Sequence, residues 1–488
     1  MSGNSFTSRS ITREAAARLI ADTVAAAERI GFEPVVAIVD VAGNLKAFER
    51  SDRSSYLAVN IAIDKAYTAA SFGLSTAQWV DLLEDRGASN LRHVPRVMAA
   101  AGGFPLMEDG AIIGGIGISG GSWAQDQEAG EEALRNFPSD VDTIQKEARM
   151  KAIGYKTPSP ISAADSFVDI ELPKPEPKGR DILVEVKAIS VNPVDYKVRG
   201  STPPADGTEW KVLGWDVAGI VAAVGPDVAG FKVGEEVWYA GSITRSGANA
   251  EFHLVDERIV GKKPSKIGWA DAAALPLTSL TAWEAFFVRL DVKKPVPGAA
   301  AAILIIGGAG GVGSIAVQIA RQFTSLTVIA TASRPETRDF VASLGAHHVV
   351  DHSKPIAGQV AALGIGAPAF VFSTTQTAKH IDDIAELIAP QGRLCLIDDP
   401  SGFDIMKFKR KAVSIHHELM FTRSIFQTPD MDEQGRILNE MSSAVDDGKI
   451  RSTAMQNLGS INAQNLKKAH AQLESGTTIG KVVLEGFA

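Results

Sequence analysis

The segment Ala302-Ile303-Leu304-Ile305-Ile306-Gly307-Gly308-Ala309-Gly310-Gly311-Val312-Gly313-Ser314 decides the reading of this chain. Five apolar residues of strand type run into a glycine-rich turn, and an apolar helical pattern follows over 312–319. Gly308, Gly310 and Gly313 fit G-x-G-x-x-G, the turn that sets backbone N–H groups and a helix N-terminus against a pyrophosphate. Behind the helix stand the strand-like Thr327-Val328-Ile329-Ala330 and then Ser333-Arg334. Together they close a β-α-β unit of about the 30 residues a dinucleotide site needs. The spacing predicts a coenzyme-binding turn built from Gly308, Gly310, Gly311, Val312 and Gly313.

A second match provides a control. Gly115-Ile116-Gly117-Ile118-Ser119-Gly120 also fits the pattern after an apolar run, but only one acidic helix and Pro138 follow it. With no second strand at the right distance, it reads as a tight strand-to-helix turn. At the end of the second Rossmann strand an NAD site normally carries Asp or Glu for the ribose 2′-OH. Ser333 and Arg334 stand there instead, a hydroxyl donor and a fixed cation that suit a 2′-phosphate. NADP(H) is therefore the expected coenzyme.

The chain has 488 residues, enough for two to four domains, with 45% hydrophobic and 22% charged residues. Its net charge of −8 and lack of Lys/Arg runs argue against a nucleic-acid partner. No N-terminal apolar core or long apolar window marks a signal peptide or a membrane span, which predicts a cytoplasmic, soluble protein. Cys395 is the only cysteine, so an intrachain disulfide and Cys-rich zinc sites are excluded, and its strand setting predicts a buried core residue.

Two unrelated halves are legible. Residues 1–137 read as one α+β domain: helices over 11–30, 56–72 and 125–134, a hairpin around Ala42-Gly43-Asn44, and a second around Asp109-Gly110. Residues 138–149 read as a linker, after which Met150 opens a fresh pattern like the start of a separate protein. Residues 150–276 are β-rich and punctuated by Gly and Pro. From 277 to 410, strands at 302–306, 327–332, 348–350, 369–372 and 393–397 alternate with helices, as in a doubly wound parallel sheet. Ser373 and Ile397 close the fourth and fifth of these, where ligands sit in such sheets. Residues 411–488 form a returning tail.

The second half resembles the medium-chain dehydrogenases/reductases, in the branch of zinc-type alcohol dehydrogenase-like proteins and quinone oxidoreductases. The match rests on Ala188-Ile189-Ser190-Val191-Asn192-Pro193-Val194-Asp195, Leu213-Gly214-Trp215-Asp216-Val217-Ala218-Gly219, Gly230-Phe231-Lys232-Val233-Gly234-Glu235-Glu236-Val237, Leu280-Thr281-Ala282-Trp283, Glu418-Leu419-Met420-Phe421-Thr422-Arg423-Ser424 and Gly480-Lys481-Val482-Val483-Leu484. It implies a GroES-like catalytic domain with a Rossmann domain, and places Thr281 and Phe421 by the nicotinamide. Lys481 is implied either at the adenosine phosphate or at a solvated strand end. Zinc members carry Cys where Asn192 falls and His where Trp215 falls. Tryptophan cannot ligate zinc, so no metal is expected. Without a Lewis acid, the open chemistry is hydride delivery to an electrophilic acceptor, a quinone or an enone. Asn192, Asp195 and Tyr196 are the candidate catalytic residues by motif position, with Tyr239 a further phenol or a packing residue. Asn192-Pro193 also reads as a turn, and Asp195 as a helix cap.

The first half resembles the GlcG/HbpS family, a small profilin-like, haem-binding domain, through Val36-Ala37-Ile38-Val39-Asp40-Val41-Ala42-Gly43-Asn44-Leu45, Ala62-Ile63-Asp64-Lys65-Ala66-Tyr67 and Gly102-Gly103-Phe104-Pro105-Leu106. That implies a haem site, for which His93 is this half's only histidine, in a surface loop. Asp64 and Lys65 read as a helix-edge salt bridge or a buried pair. Both families imply self-association into a homo-oligomer. The expected whole is a fusion: a GlcG/HbpS-like domain joined to a zinc-independent NADPH reductase of quinones or enones. Two rivals stay open, a haem-binding redox sensor with a regulatory NADPH half and a zinc alcohol dehydrogenase.

Overall fold

The computed structural model describes residues 8–83, 88–108, 110–135, 137 and 149–487. They fall into two units, Met1–Ala148 and Arg149–Ala488.

In the first unit, β1 (Val35–Asp40), β2 (Leu45–Arg50), β3 (Gly103–Glu108) and β4 (Ala111–Ser119) form an antiparallel sheet in the order β2-β1-β4-β3. The β1–β2 turn is held by the Asp40 carboxylate, which accepts the Ala42 and Asn44 N–H groups at 2.9 Å each, with Gly43 at φ +80°. In the expected second hairpin, β3 pairs with β4, while Asp109 lies outside the described residues. Helix Arg13–Ile30 begins where Thr12 accepts the Ala15 N–H and ends at Gly31 in the left-handed region. The glycines of the second Gly-rich motif have a packing cause. A Cβ on Gly115 would lie 2.3 Å from the Ala66 carbonyl oxygen, and one on Gly117 would lie 2.0 Å from that of Ala62. Glycine here lets helix Tyr56–Phe72 lie directly on β4. A short helix, Thr76–Leu82, was not legible as such; Ser75 and Gln78 make its capping box.

Asp64 and Lys65 do not pair with each other, which corrects the helix-edge expectation. Successive residues leave a helix about 100° apart. Asp64 meets Arg96 at 3.1 Å, while Lys65 is buried and donates to Asp126 and to the Ile118 carbonyl, both at 2.8 Å.

The second unit opens at β5 (Arg149–Tyr155), so Arg149 belongs to a strand paired with Pro173 and not to the expected 138–149 linker; residues 138–148 lie outside those described. β5, β6 (Val168–Pro173) and β8 (Lys211–Val212) form a small sheet. The main catalytic-domain sheet runs β12-β10-β9-β7-β20-β19, with β11 (Phe252–Asp256) also on β7. Its strands are β7 (Asp181–Val191), β9 (Val217–Val224), β10 (Glu236–Tyr239), β12 (Val260–Lys262), β19 (Ala454–Asn457) and β20 (Lys481–Glu485). The tail returns as expected. β20 runs antiparallel to β7 in the register Val482↔Val191, which sets Lys481 beside Asn192.

The Rossmann sheet is all parallel, ordered β15-β14-β13-β16-β17-β18. Its strands are β13 (Ala300–Ile306), β14 (Thr327–Thr331), β15 (His348–Val350), β16 (Pro368–Ser373), β17 (Arg393–Leu396) and β18 (Ser414–His417). Five were expected; the sixth, β18, is an edge strand of polar sequence without an apolar run. The order reverses between β13 and β16, and ligands of open α/β sheets bind at that switch point. The glycine turn leaves β13 there. Cys395 is buried in β17, as expected.

Candidate active site

The turn after β13 is glycine by steric need. Gly307 has φ +84°, and its N–H donates to Thr331 Oγ1 at 3.0 Å. A Cβ on Gly313 would sit 2.0 Å from the Gly307 oxygen and 2.8 Å from Gly308 Cα. At Gly310 the nearest atom to a Cβ would be 3.5 Å away, so there the protein itself leaves room. The Ser314 N–H returns to the Gly310 carbonyl at 2.9 Å. The amides of Gly311, Val312 and Gly313, at the start of helix Gly311–Phe323, have no carbonyl a turn earlier to meet. They form a ready anion cradle with the positive end of the helix dipole behind it, which fits a dinucleotide pyrophosphate.

β14 ends at Thr331, and Ser333 and Arg334 follow, both half-buried. Arg334 Nη2 donates to the Thr477 carbonyl at 3.0 Å, and Nε lies 3.3 Å from Glu336. Next to them His352, for which no local pattern carried a signal, shares a 2.9 Å hydrogen bond with Thr331 Oγ1. Among the strand-end residues, Ser373 is buried and bonded to Thr377 at 2.7 Å, and the Ile397 N–H donates to the Ser373 carbonyl at 3.2 Å. Thr281 is buried on helix Pro276–Trp283 and donates to the Leu277 carbonyl at 2.8 Å. Phe421 meets Trp215 edge to face, with ring centroids 6.3 Å apart.

Four polar side chains from different parts of the chain converge in the catalytic domain: Asn192, Asp195, Asp216 and Lys481, none more than 3% exposed. Lys481 Nζ donates to Asn192 Oδ1 at 2.6 Å and to the Val191 carbonyl at 2.8 Å, and lies 3.2 Å from Asp216 Oδ2. Asn192 Nδ2 donates to the same Asp216 oxygen at 3.1 Å, and Asp216 Oδ1 accepts the Leu277 N–H at 3.1 Å. Asp195 accepts the Asn192 N–H at 2.7 Å and the Gly214 N–H at 3.2 Å. Asp195 is not the N-cap expected of it: Asn192 caps helix Pro193–Ser201, and Asp195 is the third helical residue, whose carboxylate reaches back to the Asn192 N–H as in a capping box. Burial pushes the Asp195 carboxyl up to about 7 and that of Asp216 up to about 6, with the Lys481 ammonium pulling the other way. The same burial makes Lys481 easier to deprotonate. Lys481 is thus no solvated strand end, and its ammonium faces the Asn192–Asp216 pair, while its stem crosses the glycine turn. A Cβ on Gly311 would lie 2.9 Å from Lys481 Cδ. Asp216 was visible in sequence only as the companion of Trp215.

Tyr196 stands apart from this cluster. It is half-buried on the same helix, and its hydroxyl makes no hydrogen bond to a described residue. The next residue, Lys197, reaches Asp399 beyond the end of β17 at 2.7 Å, so this helix touches the Rossmann domain. Tyr239 is a packing residue, fully buried and bonded to His253 Nδ1 at 2.9 Å.

A zinc ion does not fit these residues. Trp215 fills its position with a fully buried indole that has no lone pair to give. Asn192 presents an amide, and Asp216 is already neutralised by an ammonium. Among the described residues no group of three His, Cys, Asp or Glu could hold a metal. In the first unit, His93 ends a 3₁₀ turn, Ser89–His93, and is exposed together with Arg92, Val94 and Pro95. An imidazole so exposed, with its described chain neighbours 92–96 exposed as well, does not fit a haem site.

A glycine cradle at the switch point of a 3-2-1-4-5-6 sheet, next to a GroES-like domain completed by the C-terminal strand, defines a medium-chain dehydrogenase/reductase. Family models agree: an alcohol dehydrogenase GroES-like domain matches residues 178–268, a zinc-binding dehydrogenase matches 311–436, and a haem degrading protein HbpS-like model matches 11–135. A zinc-type alcohol dehydrogenase-like protein of Staphylococcus aureus is 39% identical over 337 residues, 69% of this chain and 99% of the relative. A solved Rhizobium etli protein assigned to the zinc-dependent alcohol dehydrogenases is 73% identical, with a TM-score of 0.69, covering 70% of this chain and 99% of that one. A quinone oxidoreductase from Coxiella burnetii is 25% identical, with a TM-score of 0.56, over 69% of this chain and 99% of its own. The chain belongs to the zinc-type alcohol dehydrogenase-like proteins of the medium-chain dehydrogenase/reductase superfamily, with an HbpS-like domain in front, and is an oxidoreductase. No helix among the described residues is long and apolar enough to cross a membrane.

Proposed function

We propose that this protein is an NADPH-dependent, zinc-independent reductase of quinones or α,β-unsaturated carbonyl compounds. One observation carries the reading: a buried ammonium, Lys481, paired with Asp216, next in the chain to the buried Trp215 that stands where zinc members carry a ligand. A site without a Lewis acid suits substrates whose carbon is already electrophilic. The reading draws support from a tomato 2-methylene-furan-3-one reductase, 36% identical over 189 residues, 37% of this chain and 47% of the relative. It draws support also from a mycobacterial protein solved with NADPH, 25% identical with a TM-score of 0.57, over 69% of this chain and 99% of that one.

The coenzyme would be held by the Gly311–Gly313 amides, with Ser333 and Arg334 on its 2′-phosphate, Thr281 and Phe421 at the nicotinamide, and Ser373 and Ile397 beneath. Bound, it supplies hydride. Tyr196 offers the free hydroxyl that donates to the acceptor oxygen as negative charge develops there. Asn192 and Asp195, whose polar atoms are already engaged, act by holding that helix and the Lys481 ammonium in place.

The test is oxidation of NADPH and of NADH by the purified chain with a panel of quinones and enones. Acceptor-dependent consumption is expected, with NADPH preferred. Arg334→Ala should weaken NADPH about 10- to 100-fold, the worth of one charge-assisted contact, and leave NADH nearly unchanged. Consumption with neither acceptor class, or alcohol oxidation in its place, would overturn the proposal.

A further inference from the structure

Behind the site lies a buried ionic network that the reaction as described does not use. Helix Pro276–Trp283, which carries Thr281, runs into a π-helical turn, Glu284–Arg289, a local irregularity often found at functional positions. Glu284 is fully buried there, and facing it is Glu418, 4% exposed, just past the edge strand β18 and three residues before Phe421. Arg423 Nη1 lies 2.6 Å from Glu284 Oε1, and Arg289 Nε donates to Glu418 Oε2 at 2.7 Å. Gln434 Nε2 donates to Glu284 Oε1 at 3.3 Å and to the Met420 carbonyl at 2.5 Å. These contacts tie the 418–424 segment to the π turn, and with it Phe421, which leans on Trp215.

Three acceptors are left over, two of them carboxylate oxygens and the third Gln434 Oε1. Glu284 Oε2 and Glu418 Oε1 are buried and take no hydrogen bond, and burial together with the neighbouring Glu418 charge pushes the Glu284 carboxyl up. Two neighbouring buried carboxylates cannot both stay ionised, whereas one proton held between them supplies the donor that the two leftover carboxylate oxygens lack. Charge balance leads to the same count. Arg289 and Arg423 bring two positive charges, and Asp430, held ionised by Thr428 and Arg423, removes one. A single carboxylate in the Glu pair then leaves the network neutral, whereas two would bury an excess charge. The other titratable groups facing it are the Cys395 thiol, kept protonated by burial, and His416, kept neutral by burial beside Arg289.

We propose that Glu284 and Glu418 are positioning residues of this reductase, sharing one proton that clasps the Phe421 segment onto the turn behind Thr281. The inference rests on the reductase reading for its kinetic consequence and on the fold alone for the clasp. Burial and the neighbouring Glu418 charge push the Glu284 carboxyl up to about 8. An acid raised on folding stabilises most at low pH, and that contribution is lost as the pH rises through its folded value. The clasp should therefore release above about pH 8.

The experiment uses the full chain and Glu284→Gln, which keeps a donor at that position and cannot ionise. Melting temperature is followed from about pH 6 to about pH 9, with kcat/KM for quinone reduction by NADPH beside it. The wild type should lose kcat/KM about tenfold per unit above pH 8, and its melting temperature should fall as the pH rises towards 8 and level off beyond it, whereas Glu284→Gln removes both features and leaves NADPH affinity within about twofold. The infrared difference between wild type and variant at neutral pH should show the C=O band of one carboxylic acid, over and above the Asp195 acid that both proteins keep. Profiles that run parallel in the two proteins, or a wild type without the inflection, would overturn the clasp. Should Glu284→Gln not fold, Glu418→Gln is read by the same criteria. Should the chain reduce no quinone, the melting and infrared measurements still decide the clasp, while the reductase reading alone falls.

Discussion

Lys481→Met should be the most damaging single substitution in the catalytic domain, lowering stability by about 3–5 kcal/mol near pH 8. Methionine matches the stem in length and preserves its packing against Gly311, so the loss reports the charge. Without the ammonium, Asp216 is a fully buried carboxylate with only the Asn192 amide and the Leu277 N–H as donors. Asn192 Oδ1 loses its 2.6 Å partner too, which leaves the amide oriented only through its Nδ2. The pH dependence follows from the folded values. Both Asp195, at about 7, and Asp216, at about 6, lie above the ordinary carboxylate range. Their contribution to stability is therefore greatest in acid and is lost as the pH rises through those values. The variant's deficit should shrink towards acid pH, where Asp216, pushed higher still once the ammonium is gone, takes up a proton and no longer needs a cation. Denaturant titrations of both proteins at acid and alkaline pH measure this. A deficit that is equal at both ends would mean that Lys481 contributes packing and not charge.

Gly313→Ala is the second large effect. Its methyl would enter at 2.0 Å from the Gly307 oxygen and 2.8 Å from the Gly307 carbonyl carbon and Gly308 Cα, all backbone atoms that no rotamer change can move aside. The turn must open, at about 1–3 kcal/mol in stability, and the amides of Gly311 to Gly313 leave their common focus. Coenzyme affinity should fall at least about 100-fold, equivalent to about 2.7 kcal/mol. Gly310→Ala separates the two causes. Its Cβ finds no atom nearer than 3.5 Å and its φ of −76° is open to any residue. Stability should stay unchanged, while coenzyme affinity drops if a pyrophosphate approaches the backbone there. Calorimetric titration with NADPH, paired with thermal unfolding, measures both. Unchanged affinity in Gly310→Ala would remove the pyrophosphate from this turn.

The Rossmann half was legible because its signals are local: an apolar strand, a glycine turn and an apolar helix lie within a few consecutive residues. β18 was missed because Ser414-Ile415-His416-His417 is an edge strand, one side of which needs no apolar cover. The heart of the site was only half legible. Asn192 and Asp195 could be picked out from one short motif, but their meeting with Lys481 depends on β20 lying antiparallel to β7, a register that no local pattern encodes. Lys65 in the first unit makes the same point: its partner Asp126 comes from the far helix, not from the adjacent Asp64. The second glycine motif was ruled out as a coenzyme turn by the missing second strand, and its physical cause, helix Tyr56–Phe72 resting on β4, came only with the fold.

The central claim is that an ammonium, not a metal, supplies the fixed positive charge in this pocket. Zinc content measured on chain purified and dialysed against zinc, alongside acceptor-dependent NADPH oxidation before and after chelation, tests it most directly. Substoichiometric zinc with activity indifferent to the chelator is the predicted result. One zinc per chain, lost together with activity and absent from a Trp215→Ala, Asp216→Ala variant, would contradict it.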